Sequence, residues 1–352
     1  MMYFIRSDRL RAFMLAAFQK AGLLDEDASL CADNLLYADL RGIEGEGIVR
    51  LKQELDRLQH GGIKAHALPA FEPVSSAAGI VDGHHAIGPV TAHCAITEAI
   101  GLAKATGVGV VTVIHGGPCG APGFYGEIAA REGMVAVVVA NTEPVVVPHG
   151  GRNPFFGSSP LVITFPDGAE GAVTLETLTS VVPFEKIENA KREHQTIPKD
   201  WAIDSEAAPT GDPLSVAALL PFGGGKGHSL GLAINVLTSL LTGAVAGPDV
   251  LRLRGNADKP AAQSQFFLVI DIGHFAPRVE FLIRVRQMLE RLRTEPTAPD
   301  FPKVFVPGET EMWAFKKRSA GGIPIPEKIW SDLEDIANHY KIEKPGRGAA
   351  AG

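Results

Sequence analysis

Two apolar runs rich in β-branched residues, Gly107–Ile114 (GVGVVTVI) and Met134–Ala140 (MVAVVVA), constrain the fold more than anything else in the chain. Neither alternates polar with apolar side chains, so neither can leave one face in water; both read as strands inside a covered sheet. Their β-branched content favours strand over helix. The segment between them, about 123–132, has helical spacing. Strand, helix, strand in that order predicts a crossover unit and an at least partly parallel sheet.

Flanking patterns extend this picture. Ser7 is the predicted N-cap of a first helix, with Leu10, Phe13, Met14, Ala17 and Phe18 at helical spacing and Gly22 as its stop. Further helices are predicted at about 27–40, 48–59, 91–106, 227–241, 277–293 and 326–340. Further strands are predicted at 78–82, 161–165 and 266–271. Helices therefore dominate both ends and strands the middle. The expected fold class is α/β, with three layers around a mixed sheet. The expected division is a helical cap from 1–75 plus 277–345, a central α/β domain over 76–276, and a disordered tail over 346–352.

Composition excludes several roles. Lys and Arg number 33 against 40 Asp and Glu, a formal charge of −7 without a basic block, so neither nucleic acid nor an anionic membrane is an expected partner. Cys31, Cys94 and Cys119 fit no disulfide or metal framework, and His84, His85 and His93 lack ligand spacing, so no metal is expected. The N-terminal segment lacks the apolar core of a signal peptide, and no apolar stretch reaches membrane-spanning length. The expectation is a soluble, cytoplasmic protein.

The usual nucleotide signatures are missing. There is no G-x-G-x-x-G after a strand, no phosphate-binding loop (Gly225-Lys226 is followed by Gly227) and no G-x-S-x-G elbow. Instead, Gly- and Pro-rich clusters stand at element ends: 41–47 (RGIEGEG), 115–120 (HGGPCG), 148–152 (PHGGR), 222–228 (FGGGKGH) and 307–309 (PGE). Glycine lets backbone N–H groups approach a ligand closely, though it also simply makes turns.

In their order these clusters resemble the malate/L-lactate dehydrogenase-like family over about residues 8–340. ADLRGIEGEGIVRL (38–51) is similar to the family's A-D-x-R-G-x-x-S-H-G-x-x-R. VDGHHAIGPV (81–90) is similar to V-D-G-x-x-x-x-G, and VTVIHGGPCGAPGFY (111–125) to the segment carrying S-N-H-F-G. Residues 137–166 hold N-x-x-P, P-x-G-G and G-(S/T)-(N/S)-P in register, followed by 220–244 and VPGETE (306–311). The resemblance implies a nicotinamide cofactor, NAD or NADP, on a non-Rossmann domain. It also implies a small carboxylate substrate and a homodimer with the active site near the subunit interface.

The departures are specific. The histidine of S-H-G, the family's proton donor, is Glu46 here; the loop histidine of N-H-F-G is Pro118; and the Asp opening D-x-A-T-S is Glu176. Arg50 matches the arginine that holds a substrate carboxylate, which a guanidinium fork grips bidentately. Glu46 could donate a proton if burial raised its pKa, or stabilise an iminium while ionised. His115 and His228 are the candidate replacement acids. The resemblance places Asn141, Thr179, Ser180, Lys226 and Glu309 at cofactor contacts; the same motifs carry His149, Glu176 and Gly308, which complete the expected cofactor-binding set. The expected activity is an NAD(P)H-dependent oxidoreductase acting on a 2-oxo, 2-hydroxy or cyclic 2-imino acid. The loss of both histidines leaves as alternatives a non-redox reaction or an inactive cofactor-binding protein on the same scaffold.

Overall fold

The structure is a computed structural model describing residues 2–43, 45–169 and 171–346; most of the tail expected to be disordered lies outside them. Strand β1 (Met2–Ile5) leads into helix α1 (Ser7–Lys20), followed by α2 (Asp25–Arg41) and α3 (Leu51–His60). Ser7 is the first helical residue rather than the cap: Arg6 precedes the helix, with no side-chain cap bond. The helix predicted from Ile48 opens as one 3₁₀ turn, Ile48–Arg50, before becoming α3. The apolar faces of these helices bury Leu10, Met14, Phe18, Leu51 and Leu55 in one core.

The central elements are β2 (Ala70–Pro73), β3 (Ala78–Asp82), α4 (Gly88–Thr106), β4 (Val108–Gly116), α5 (Gly123–Arg131), β5 (Met134–Ala140), β6 (Leu161–Pro166) and β7 (Ala172–Thr177). After them come α6 (Phe184–Glu193), β8 (Ala202–Ile203), β9 (Ala218–Leu219), α7 (Gly225–Thr238) and β10 (Gln263–Asp271). The sheet has seven strands in the order β2-β3-β4-β10-β5-β6-β7. The predicted crossover exists, since β4 and β5 run in the same direction. They are not neighbours, however: β10 lies between them and pairs antiparallel with both. The parallel neighbours are β3 and β4.

Three layers follow from the side-chain period of two in β10. Phe267 and Val269 point towards α4 and α5, packing with Ala99, Ala129 and Val138. Phe266 and Leu268 point to the opposite face, with Ile234 of α7 and Val139. Burial on both faces explains why these strands lack polar alternation. Gly107, at φ +90°, ends α4 in a left-handed cap and turns the chain directly into β4, while its carbonyl accepts the N–H of Asp271 at 3.0 Å.

The chain closes with α8 (Arg278–Arg293), α9 (Glu309–Gly321), β11 (Ile323–Pro326) and α10 (Glu327–Tyr340). β11 pairs antiparallel with β1, and α10 adds Ile329, Trp330 and Leu333 to the core of α1–α3, so both ends of the chain build one helical unit. α8 packs elsewhere: its buried Leu289 meets Val173 of β7 and Val306. Among the described residues, no helix is long and apolar enough to cross a membrane.

Candidate active site

A cleft of about 480 Å³ opens where the helical unit meets one end of the sheet. One wall is the α2–α3 loop with Glu46 and Arg50. The floor is the loop after β4 (Pro118–Gly120) with Ala140 and Gln263 from the neighbouring strands. The far side is Ser158, Pro160 and Glu176, with Phe184 and Glu185 at the start of α6.

Glycine sets the position of Glu46. A Cβ on Gly47 would stand 1.9 Å from Asp39 Oδ1, and one on Gly45 would stand 2.7 Å from Glu185 Cγ. Gly47 thus lets the loop pass directly against the buried Asp39 of α2, and Gly45 leaves room for the Glu185 side chain of α6. Asp39 accepts the N–H of Ile48 at 2.9 Å and fixes the turn into α3. The floor is held similarly: Gln265 donates to the Gly117 carbonyl at 2.7 Å, and Gly120, at φ +69°, leaves room for Asn34, whose Oδ1 accepts from Ala121 N–H at 3.1 Å.

Glu46 and Arg50 meet at 2.8 Å. The rest of the Arg50 fork is engaged as well, with Nε on the Gly45 carbonyl at 2.8 Å, Nη1 on Gln53 at 3.3 Å and Nη2 3.6 Å from Glu185. The side chains of Glu46 and Arg50 are about a quarter exposed, at 27% and 26%, and that opening is into the cleft. Removal from solvent pushes the Glu46 carboxyl above its ordinary value, although the Arg50 charge and hydrogen bond oppose this. Arg50 is raised in turn, chiefly by Glu46, and stays charged. Across the cleft, burial together with repulsion from Glu46 and Glu311 pushes Glu176 up to about 7. The Cys119 thiol is pushed up to about 12, chiefly by burial and also by Glu46, and so stays protonated and unreactive near neutral pH.

Of the expected site residues, Glu46, Arg50, Glu176 and Gly308 line the cleft. The remaining expected residues do not. His115 is exposed, bonded through Nδ1 to Asp82 at 3.0 Å. His228 lies on α7, where its Nδ1 accepts the His149 N–H at 3.2 Å; His149 and Lys226 are exposed beside it. Asn141 is used internally, donating to Ser239 Oγ at 2.8 Å and accepting from Ser264 N–H at 2.7 Å. Thr179 donates to the Gly157 and Ser158 carbonyls, and Ser180 to that of Val182. Glu309 is tied to Arg293 at 2.6 Å and Lys303 at 3.4 Å.

Some cleft residues were not expected. Arg41 stacks on the Tyr37 ring at 3.7 Å and pairs with Glu127 at 2.7 Å. It belongs to the same Arg-Gly cluster as Glu46, and that proximity was a usable signal. Glu185 arrives from a distant helix and gave none.

The sequence profile of the malate/L-lactate dehydrogenase family matches residues 5–334. The chain belongs to this family. It is 33% identical over 349 residues to malate dehydrogenase of Pyrococcus horikoshii, covering 96% of each chain. It is also 33% identical to L-sulfolactate dehydrogenase of Methanothermobacter thermautotrophicus, over 90% of this chain and 92% of that one. The crystal structure of malate dehydrogenase from Entamoeba histolytica superposes with a TM-score of 0.93 at 26% identity, covering 98% of this chain and all of that one.

A nicotinamide cofactor fits the cleft. Its volume lies within the range of small-molecule and cofactor sites. Pro118, Ala140 and Pro160 give flat apolar surface, and Thr142, Ser158 and Glu176 give polar groups. A Cβ on Gly157 would stand 2.0 Å from Thr142 Oγ1, so Gly157 lies directly against the segment that follows β5.

Proposed function

We propose that the chain is an NAD(P)H-dependent oxidoreductase acting on a small 2-oxo or 2-hydroxy acid or a cyclic 2-imino acid, with Glu46 where the family has its histidine. The observation that carries this is the Glu46–Arg50 pair at 2.8 Å at one end of the cleft. Pro118, Ala140, Thr142, Ser158, Glu176 and Gly308 would hold the nicotinamide and its ribose. When bound, the cofactor supplies or accepts the hydride.

Arg50 binds the substrate carboxylate, which competes with Glu46 and Glu185 for the guanidinium. A negative substrate also disfavours ionised Glu46, so binding loads the proton that the reaction needs. In reduction of a 2-oxo acid, the Glu46 O–H bond breaks and its proton goes to the substrate oxygen as the carbonyl carbon accepts the hydride. In oxidation, the Glu46 carboxylate takes the hydroxyl proton.

The cyclic imino acid is favoured by the charge of the cleft. Six glutamates line it (46, 127, 143, 176, 185 and 311) against Arg41, Arg50 and Lys186, so a substrate bearing a protonated nitrogen relieves repulsion there. An iminium arrives with its proton, and an ionised Glu46 then stabilises it. Exposed Leu232, Val236, Leu240 and Leu241, on and just after α7, support a homodimer. The test is oxidation of NADH or NADPH by the purified protein with pyruvate, oxaloacetate and Δ1-piperideine-2-carboxylate. Turnover of at least one is expected; none across the panel, with no cofactor binding by calorimetry, refutes the reading.

A further inference from the structure

A second cavity, about 10 Å³, shares Glu46, Arg50, Pro118 and Gly120 with the cleft and is otherwise lined from the helical core. That is about the space one water molecule requires. Glu54 lines it from α3. Its side chain is buried, at 9% exposure, and its Oε2 has no hydrogen-bond partner. A buried carboxyl oxygen left unpaired is costly, and the helix could have placed an apolar residue there at no loss of packing.

We propose that Glu54 is a proton-relay residue that exchanges a proton with Glu46 through a single water in this cavity. The inference rests on the reading of Glu46 as proton donor. The Glu54 O–H bond breaks, its proton passes to the water, and a proton of that water passes to the Glu46 carboxylate. Glu54 is left ionised until product leaves; water re-entering the cleft then protonates Glu46, and the cavity water returns that proton to Glu54, while the reverse sequence accompanies oxidation. Glu46 is thereby reset from the core side while substrate and cofactor fill the cleft.

The groups facing Glu54 suit this task. Arg50 and Arg57 are the cations acting on it, and Glu46 is the acid acting on it. Cys31 of α2 and Tyr125 of α5 face it from other elements, and burial holds both of them neutral. Arg57 leaves Nε and Nη1 without partners and donates through Nη2 to the Gly62 and Lys259 carbonyls. Burial, opposed by Arg50 and Arg57, pushes the Glu54 carboxyl up to about 7, so both of its protonation states are accessible near neutral pH.

The test is steady-state reduction of oxaloacetate and pyruvate across pH by the wild type, Glu54→Gln, Glu54→Asp and Glu46→Gln. The relay predicts that Glu54→Gln lowers kcat about tenfold with KM unchanged and loses one near-neutral limb of the kcat profile. Glu54→Asp restores the lost limb. Wild-type kcat and profile in Glu54→Gln, or equal impairment of Gln and Asp, overturns the relay while leaving the Glu46 reading intact. Wild-type kcat in Glu46→Gln, or no turnover of either 2-oxo acid by the wild type, overturns the relay together with Glu46 as proton donor; turnover of Δ1-piperideine-2-carboxylate alone leaves the oxidoreductase reading standing. Wild-type turnover in mixtures of light and heavy water needs no variant: a curved, two-proton dependence supports the relay, and a linear or absent dependence overturns it.

Discussion

Replacing Glu54 by Gln should flatten the dependence of folding stability on pH. The carboxyl is held at about 7 in the folded chain against 4.5 for an ordinary glutamate, because burial outweighs the help of Arg50 and Arg57. The folded state thus binds a proton that the unfolded state has already released. Stability from this group is greatest below the unfolded value, falls as pH rises towards 7, and stays at its lower level beyond. At about 1.4 kcal/mol per pKa unit, the gap amounts to about 3 kcal/mol. Gln has the same size and cannot ionise. The stability of the variant relative to wild type should therefore rise by about 3 kcal/mol between about pH 4 and about pH 8. Urea unfolding of both proteins at a series of pH values measures this difference directly. Glu176, also at about 7, is common to both proteins and cancels. Parallel curves, or a variant that loses stability more steeply than wild type, would refute the view that an ill-compensated carboxyl is buried behind the cleft.

Glu46→Gln preserves the hydrogen bond to Arg50 but removes the proton; kcat on a 2-oxo acid should fall by about 10²–10⁴ without a rise in KM, and an effect confined to KM would contradict the assigned role. Arg50→Lys keeps the charge and loses the fork, so KM for a carboxylate substrate should rise by on the order of tenfold or more, while fluorescence titration finds cofactor affinity unchanged. Gly120→Ala adds a Cβ 1.9 Å from Asn34 Oδ1 at φ +69°; the steric clash and the backbone strain together should remove about 2 kcal/mol or more of stability, read as a lowered Tm.

The sequence was most informative where chemistry and local geometry coincide. Glu46 and Arg50 stand four residues apart around a turn into a helix, so their contact needs little beyond the local chain. The two continuous apolar runs became strands covered on both faces, as their composition required. Long-range packing hid the rest. Glu54 falls on the apolar face of α3 with Leu51, Leu55 and Leu58, so helical spacing alone points it inward; what no local pattern shows is that α1, α2, the start of α4 and the β4–α5 loop enclose it in one small cavity with Glu46. His115 lies three residues from the floor of the cleft, yet its backbone, at φ +49°, accompanies a side chain bonded to Asp82 instead. Lys226 has the helix-start context of an anion site but is exposed on α7, outside the cleft lining. Short elements such as β1 and β11 are defined by pairing across the whole chain, which no local pattern encodes.

The position of β10 also bears on how the molecule can be made. Gln265 pairs with Val113 on one side and Ala140 on the other. Until a ribosome has released that late segment, the two earlier strands have no common neighbour to hold them in register, and their hydrogen-bonding edges stay open. Contacts this distant along the chain slow folding and prolong exposure of sticky intermediates. Nascent chains ending before residue 263 should therefore lean on chaperones, and competence to bind ligand should come abruptly, late in synthesis, when that central strand slots into place.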